Sequence, residues 1–385
     1  MNREFDLIIV GTGLAGYGLV EQIRQVESNL SIFMLTQDDG SFYSKPILST
    51  GFSNNLEPSS IIDYTAEEMA EKLNIEIKTF VKSDSINTKE KLISAGGYVY
   101  RYNKLVLAQG ALPVHLEWPV NVQPSVFYIN NLSEYQDFRE SLKKNNKIAL
   151  VGSGLVGMEY ANDLAASGMQ VHVISVDNYP LEKLIPYKLG NALKACLEKI
   201  NVNFHLDTKI TDSYVKTNGE ISITTENGEQ IDVDIILSAA GLRPNIQLAK
   251  SAELNIGYGI KVNSTLQTSD ESIYAIGDCA EINGDVRMFL IPINLSIKSL
   301  ANTLTNSYGL SDEVNFPLLP VLVKTSACPI FCVPPPVNVQ GNWKIDGEEN
   351  NLKGCFFDNE NNLKGFALMG SRIRERVSLI KECNQ

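Results

Sequence analysis

Two glycine-rich hexapeptides carry the first chemical signal in this chain: Gly11-Thr12-Gly13-Leu14-Ala15-Gly16 and Gly152-Ser153-Gly154-Leu155-Val156-Gly157. In a GxGxxG loop the first glycine makes a tight turn and the second lets backbone approach a pyrophosphate. The third lets the following helix pack on the preceding strand. The pyrophosphate then rests on the helix N-terminus, where free N–H groups and the dipole favour negative charge. An acid about 20 residues further on completes such a site by binding the adenosine ribose. Asp38 is the candidate after the first loop and Asp177 after the second. No Lys or Arg occurs between Ser175 and Glu182 to meet a 2′-phosphate, so NADH is expected there in preference to NADPH.

These loops need strands and helices to position them, and the flanking sequence supplies both. FDLIIV (5–10) reads as a buried parallel strand before the first loop, with LVEQIRQVE as a helix after it. KIALV (147–151), MEYANDLAAS and VHVIS repeat the arrangement around the second. Each loop requires its own βαβ unit, so two dinucleotides are expected. A length of 385 residues agrees, since it exceeds what one core usually supports.

Composition narrows the class. With 44% hydrophobic and 20% charged residues the chain is a globular protein, and no apolar run approaches the roughly 18 residues of a membrane helix. Glu4 and Asp6 precede the first apolar run where a signal peptide would be basic. A net charge of -12 argues against nucleic acid and anionic membranes as partners. Six scattered cysteines form neither a disulfide framework nor paired zinc spacing, and they fit a reducing cytoplasm. His115, His172 and His205 are isolated from one another and from cysteine pairs in the sequence, so no metal site is expected.

Further motifs, in order and over nearly the whole chain, resemble the pyridine nucleotide-disulfide oxidoreductase superfamily. SAAGLRPN (238–245) looks like the crossing from the NAD domain back to the FAD domain, and TSDESIYAIGDCA (268–280) like the FAD motif. In the latter, the resemblance assigns Asp278 to the flavin ribitol and Gly277 to close backbone approach. PINLSIKSLANTL is expected to be a helix starting near Pro292, with its N-terminus toward the flavin.

The implied architecture is α/β: two Rossmann-like dinucleotide-binding domains, the NAD domain inserted in the FAD domain, plus a small C-terminal α+β domain. The expected limits are 1–112 and 241–315 for FAD, 113–240 for NAD(H) and 316–385 for the C-terminal domain. FAD contacts are expected from Gly11, Thr12, Gly13, Ala15, Gly16, Asp38, Lys45, Pro46, Gly277, Asp278 and Lys324. NADH contacts are expected from Gly152, Gly154, Leu155, Val156, Gly157, Glu159, Asp177 and Gly241. The resemblance makes Lys45 and Glu159 the catalytic pair, joined across the domain boundary, with Glu159 on the nicotinamide carboxamide and Lys45 near flavin N5.

The superfamily's disulfide reductases need a thiolate at the flavin in CxxxxC or CxxC, and both are missing: SFYSKPILST (41–50) and the whole of 113–190 lack cysteine. The peroxidase and oxidase branch places one cysteine where this chain has Lys45. The YSKPILS segment and VLVKTSACP followed by PPP instead resemble the branch that hands electrons through FAD to a small iron protein, rubredoxin being the expected partner. Ferredoxin reduction, NADH oxidase or peroxide reductase activity, and a signalling role like that of apoptosis-inducing factor are the alternatives. Family function would place such a chain in alkane hydroxylation or in oxygen or nitric oxide detoxification. The chain has no CxxC pairs for an iron centre, so the acceptor must be separate. A monomer is expected. Cys328 and Cys332 read as buried small hydrophobes. Lys364, Arg372, Arg374, Arg376 and Lys381 against Glu375 suggest a basic docking surface, with Arg372 and Arg376 on one helix face.

Overall fold

The computed structural model describes residues 3–27, 29–143, 146–305, 312–316 and 318–383. The chain folds into two compact units, Met1–Ser44 with Ser59–Leu112 and Leu242–Pro317, and Lys45–Pro58 with Pro113–Gly241 and Leu318–Gln385. Lys45–Pro58 thus clusters with the second nucleotide loop, as does the C-terminal segment.

In the first unit the strand Arg3–Val10 pairs in parallel with Ile32–Leu35 on one side and Tyr98–Leu107 on the other. Glu76–Lys78 and Ile273–Ala275 extend this parallel sheet, and Leu92–Ala95 and Ser83–Asn87 add antiparallel strands. Leu7, Ile8, Ile9 and Val10 are all buried, as a parallel strand covered on both faces requires. The helix Leu14–Val26 turns Tyr17, Leu19, Val20 and Ile23 into this core and packs on the helix Leu290–Thr305. Pro292 lies in the first turn of that second helix, where its missing N–H costs no hydrogen bond.

The second unit contains the parallel order Val202–His205, Gln170–Ile174, Lys147–Val151, Ile235–Ser238, Val126–Phe127. A three-stranded antiparallel sheet, Ile210–Val215, Ile221–Thr225 and Gln230–Val233, contributes to a core with Trp118 and Val122. The C-terminal segment is a five-stranded antiparallel sheet closed by the 3-10 helix Gly370–Glu375 and the helix Arg376–Cys383. Cys328 and Cys332 are buried there, and burial pushes both thiols up to about 12, so neither is a thiolate near neutrality.

Two expectations are corrected. Arg372 and Arg376 do not share an α-helical face: Arg372 lies in the 3-10 helix, where it pairs with Asp346 and sits 3.2 Å from Glu375, while Arg376 begins the next helix. Nor are all the histidines isolated. Parallel pairing of neighbouring strands brings His172 Nδ1 to 3.1 Å from His205 Nε2, and His205 Nδ1 to 2.9 Å from Glu229. Burial, helped by His205, lowers the His172 pKa. The pair ties two adjacent strands; among the described residues no group of three His, Cys, Asp or Glu is placed to hold a metal.

Candidate functional site: two nucleotide cradles and a buried ion pair

The first glycine loop follows the carboxyl end of the strand Arg3–Val10, and its geometry accounts for each glycine. Gly11 has φ +116°, and a Cβ there would stand 2.2 Å from the Ala108 carbonyl oxygen. A Cβ on Gly16 would stand 2.0 Å from the Gly11 oxygen, so the helix can approach the strand only without one. Around Gly13, by contrast, no atom lies within 4 Å of where a Cβ would be, leaving the space a pyrophosphate needs. Gly13 is the N-cap of the helix Leu14–Val26 and supplies no side-chain cap, so the first-turn N–H groups are left for an anion.

Gly277, at φ +75°, lies against Ala15 at the start of the same helix and brings Asp278 to this end of the sheet. Cys279 is buried and its Sγ contacts the carbonyls of Leu107 and Ile276, which makes it a packing residue. Gln109, beside Gly11, has a buried Oε1 with no hydrogen-bond partner among the described residues. An uncapped helix end beside an open glycine fits a pyrophosphate, and the orphaned Gln109 acceptor calls for a donor such as a sugar hydroxyl, so together they fit a dinucleotide such as FAD.

The second loop repeats the construction. Gly152 has φ +109° and a Cβ there would meet Ala239 O at 2.5 Å; one on Gly157 would meet Gly152 O at 2.3 Å; Gly154 again faces open space. Gly154 caps Leu155–Ala166 without a side-chain bond. Leu155 and Val156 open that helix, and Gly241 accepts from Val114 N at 3.0 Å. Leu181 holds the loop in place: its N–H donates to Ser153 O at 2.9 Å, and it does so from a buried left-handed conformation at φ +62°. Such a conformation in a leucine costs of order 1–3 kcal/mol and persists only where the surroundings enforce it.

Every residue of this helix from Gly157 to Ala165 is buried, and the side chains of Glu159, Asn162 and Asp163 are each hydrogen-bonded. Glu159, 3% exposed, accepts from Ser49 Oγ at 2.6 Å and from the Lys324 backbone N at 3.0 Å, while Lys324 Nζ lies 3.1 Å from its Oε2. Lys324 Nζ also bonds Ser49 Oγ at 3.0 Å and the Pro46 carbonyl. Asn162 bonds Ser326 and the Ala327 N–H, each at 3.0 Å. Asp163 accepts from the N–H groups of Phe52 and Ser53 at 2.8 and 3.1 Å and from the Ser53 hydroxyl. Burial raises the Asp163 pKa, opposed by those hydrogen bonds. One helix therefore clasps both the 3-10 segment Lys45–Thr50 and the strand end at Lys324.

This changes the expected pairing. The ion pair of Glu159 is with Lys324, while Lys45, exposed, donates to Asn130 Oδ1 at 2.6 Å; both lysines and Glu159 belong to one unit. A carboxylate this buried needs a donor at each oxygen, and Lys324 provides one from its backbone and one from its ammonium. Ser49, Asp163, Asn162, Leu181 and Gln109 are the residues that sequence reasoning missed. Of these, Asn162 and Asp163 had a legible signal, two adjacent polar residues inside an otherwise apolar helix.

Two cradles of this construction in one chain define a protein that carries two dinucleotides and moves electrons between them, an NAD(P)H-dependent flavoprotein oxidoreductase. The chain belongs to the family described as pyridine nucleotide-disulphide oxidoreductase, which matches residues 5–302, and residues 313–383 match the rubredoxin binding C-terminal domain. It is 36% identical to the rubredoxin-NAD(+) reductase of Alcanivorax borkumensis over 98% of each chain. It is 37% identical to the rubredoxin-NAD(+) reductase of Acinetobacter baylyi over 97% of each. Among solved structures, a chain of the covalent putidaredoxin reductase–putidaredoxin complex superposes with a TM-score of 0.89 at 19% identity, covering 99% of this chain and 94% of that one.

Proposed function

We propose that this chain passes electrons from NADH through FAD to rubredoxin. The observation that carries the reading is the conjunction of two pyrophosphate cradles with a C-terminal segment matching the rubredoxin binding domain. When bound, FAD supplies the conversion of a two-electron hydride donor into one-electron steps that an iron acceptor can take. The protein's part is binding, orientation and exclusion of competing chemistry.

The first cradle holds FAD through the backbone around Gly11, Gly13 and Gly16, with Thr12, Ala15, Asp38, Lys45, Pro46, Gly277, Asp278 and Lys324 as its further contacts. The second holds NADH, with Asp177 on the adenosine ribose and Glu159 on the carboxamide. Lys45 and Glu159 are the catalytic pair: they orient the hydride donor, Glu159 from a fixed position because its ion pair with Lys324 immobilises it. The absence of cysteine in 41–50 keeps thiol chemistry away from the reaction. No helix among the described residues is long and apolar enough to cross a membrane. The six cysteines, in neither a disulfide framework nor paired zinc spacing, support a place in the reducing cytoplasm. Mixing NADH-reduced protein separately with rubredoxin, ferredoxin and oxygen tests the acceptor. Rubredoxin should be reduced orders of magnitude faster than the others; equal or faster reduction of ferredoxin would displace it.

Docking is expected to use the exposed cations of the C-terminal segment for which no salt bridge is found among the described residues. Arg372 and Lys364 are engaged, by Asp346 and Glu375 and by Asp358 respectively, whereas Arg374, Arg376 and Lys381 are exposed. Rubredoxins are typically acidic, and beyond about 8 Å at physiological ionic strength the chain's net charge is screened, so local charge decides the encounter. Arg374→Glu with Arg376→Glu should slow rubredoxin reduction several-fold at low salt, converging on wild type at high salt, with flavin reduction by NADH unchanged. Stopped-flow rates across a salt series check this, and salt-independent wild-type rates would move docking elsewhere.

A further inference from the structure

The acids assigned to the two riboses are held in the same way, by a pair of buried hydroxyls. At the second loop, Ser153 Oγ donates to Asp177 Oδ2 at 2.8 Å, Ser175 Oγ lies 3.1 Å from that oxygen, and the two serine oxygens are 2.9 Å apart. The Asp177 N–H turns back to Ser175 Oγ at 3.2 Å. At the first loop, Thr12 Oγ1 and Thr36 Oγ1 reach Asp38 Oδ1 at 3.4 and 2.5 Å, and the Asp38 N–H lies 3.5 Å from Thr36 Oγ1. In each case one hydroxyl comes from the second residue of the glycine loop and the other from the residue just past the second strand. All four are buried: Ser153 0%, Ser175 5%, Thr12 5% and Thr36 6% exposed.

We infer that Ser153 and Ser175 are positioning residues that set the preference of the second site for NADH over NADPH by fixing the Asp177 carboxylate. The inference rests on the proposed role of Asp177. A carboxylate accepts at about four lone-pair positions, so two donors gathered on Oδ2 leave Oδ1 to accept both hydroxyls of a ribose diol. They also hold the group stationary. A 2′-phosphate would be brought against a fixed negative charge, and a free-swinging carboxylate could turn away from it. Glu182, which bonds Asn178 N at 3.0 Å and its Nδ2 at 2.9 Å, adds a second anion on the same loop. The repetition of the arrangement with threonines at the first loop, where the sequences differ, argues that the hydroxyls serve the acid and not some local packing need.

The test is equilibrium binding to the FAD-loaded protein, measured by calorimetry with ADP-ribose and with its 2′-phosphate, which carry the adenosine half alone. Ser153→Ala/Ser175→Ala should weaken ADP-ribose about ten-fold, the loss of roughly one net charge-assisted hydrogen bond. Binding of the 2′-phosphate should be unchanged or tighter, so the ratio between the ligands falls by at least that factor. Ser153→Thr/Ser175→Thr, which keeps both hydroxyls, should restore the ratio. Equal weakening of both ligands, or an unchanged ratio in a folded protein, overturns the inference. Asp177→Ala separates its failure from that of the underlying reading: if this variant binds ADP-ribose like wild type, Asp177 does not hold the ribose at all. If only Asp177→Ala loses the ligand, the ribose role stands and the serine clamp falls.

Discussion

Alanine at Gly13 is expected to leave the apo protein as stable as wild type and to abolish retention of FAD. A Cβ at this position meets nothing within 4 Å, so the chain itself loses no packing, but the methyl occupies the space a pyrophosphate must enter. Displacing two backbone bonds to a charged phosphate costs roughly 3 kcal/mol or more, at least a hundred-fold in affinity. The same change at Gly154 should spare the flavin and remove NADH binding alone. Gly16→Ala is the contrasting control, because its Cβ would stand 2.0 Å from the Gly11 carbonyl oxygen and the fold itself must give. Flavin-to-protein ratios, apo melting curves and NADH titrations separate the three variants. A yellow, fully loaded Gly13→Ala protein would mean that this loop does not hold the pyrophosphate.

The second large effect is expected at Glu159. Removing one member of a fully buried ion pair costs about 3–5 kcal/mol, and the cost here is smaller because the Lys324 side chain is 31% exposed. Glu159→Ala removes the acceptor of the Ser49 hydroxyl and of the Lys324 backbone N–H, while Lys324 Nζ keeps Ser49 Oγ and the Pro46 carbonyl, so the urea midpoint should fall and reduction by NADH should slow. Lys324→Met leaves Glu159 with Ser49 and the Lys324 backbone N–H, and should cost less than Glu159→Ala. The double variant Glu159→Leu/Lys324→Met should recover much of the stability, because the two desolvation penalties disappear together. It should not recover the hydride-transfer rate if Glu159 touches the carboxamide. Lys45 is exposed, and Lys45→Ala should lower the rate with little change in stability. A Glu159→Ala protein within about 1 kcal/mol of wild type would place the pair among the ion pairs that contribute almost nothing.

Much of this arrangement was legible in the residues. Both glycine loops lie where the strand and helix patterns put them, because apolar β-branched runs ending in GxGxxG leave few alternatives for a chain that must bury both faces of a parallel sheet. The helix near Pro292 and the burial of Cys328 and Cys332 follow from equally local signals. What could not be read is long-range. Nothing near Glu159 in sequence says that Lys324, 165 residues away, pairs with it. His172 and His205 meet because their strands are parallel neighbours, a relation set by sheet order. Arg372 looked like part of a free basic face, yet a hairpin strand carries Asp346 to it. The serine and threonine clamps are invisible for a similar reason, since Ser153 and Ser175 read singly as ordinary loop and strand-end residues.

Electrons are expected to travel from NADH to a bound flavin and then to a separate rubredoxin. Anaerobic stopped-flow with sequential mixing can follow that route, reading flavin absorbance first and rubredoxin absorbance second. NADH should bleach the flavin fully in the first mix, and oxidised rubredoxin should restore its colour in the second while itself being reduced, two rubredoxins per NADH consumed. A flavin that NADH leaves oxidised, or a reduced flavin that rubredoxin fails to reoxidise faster than dissolved oxygen does, would contradict the account.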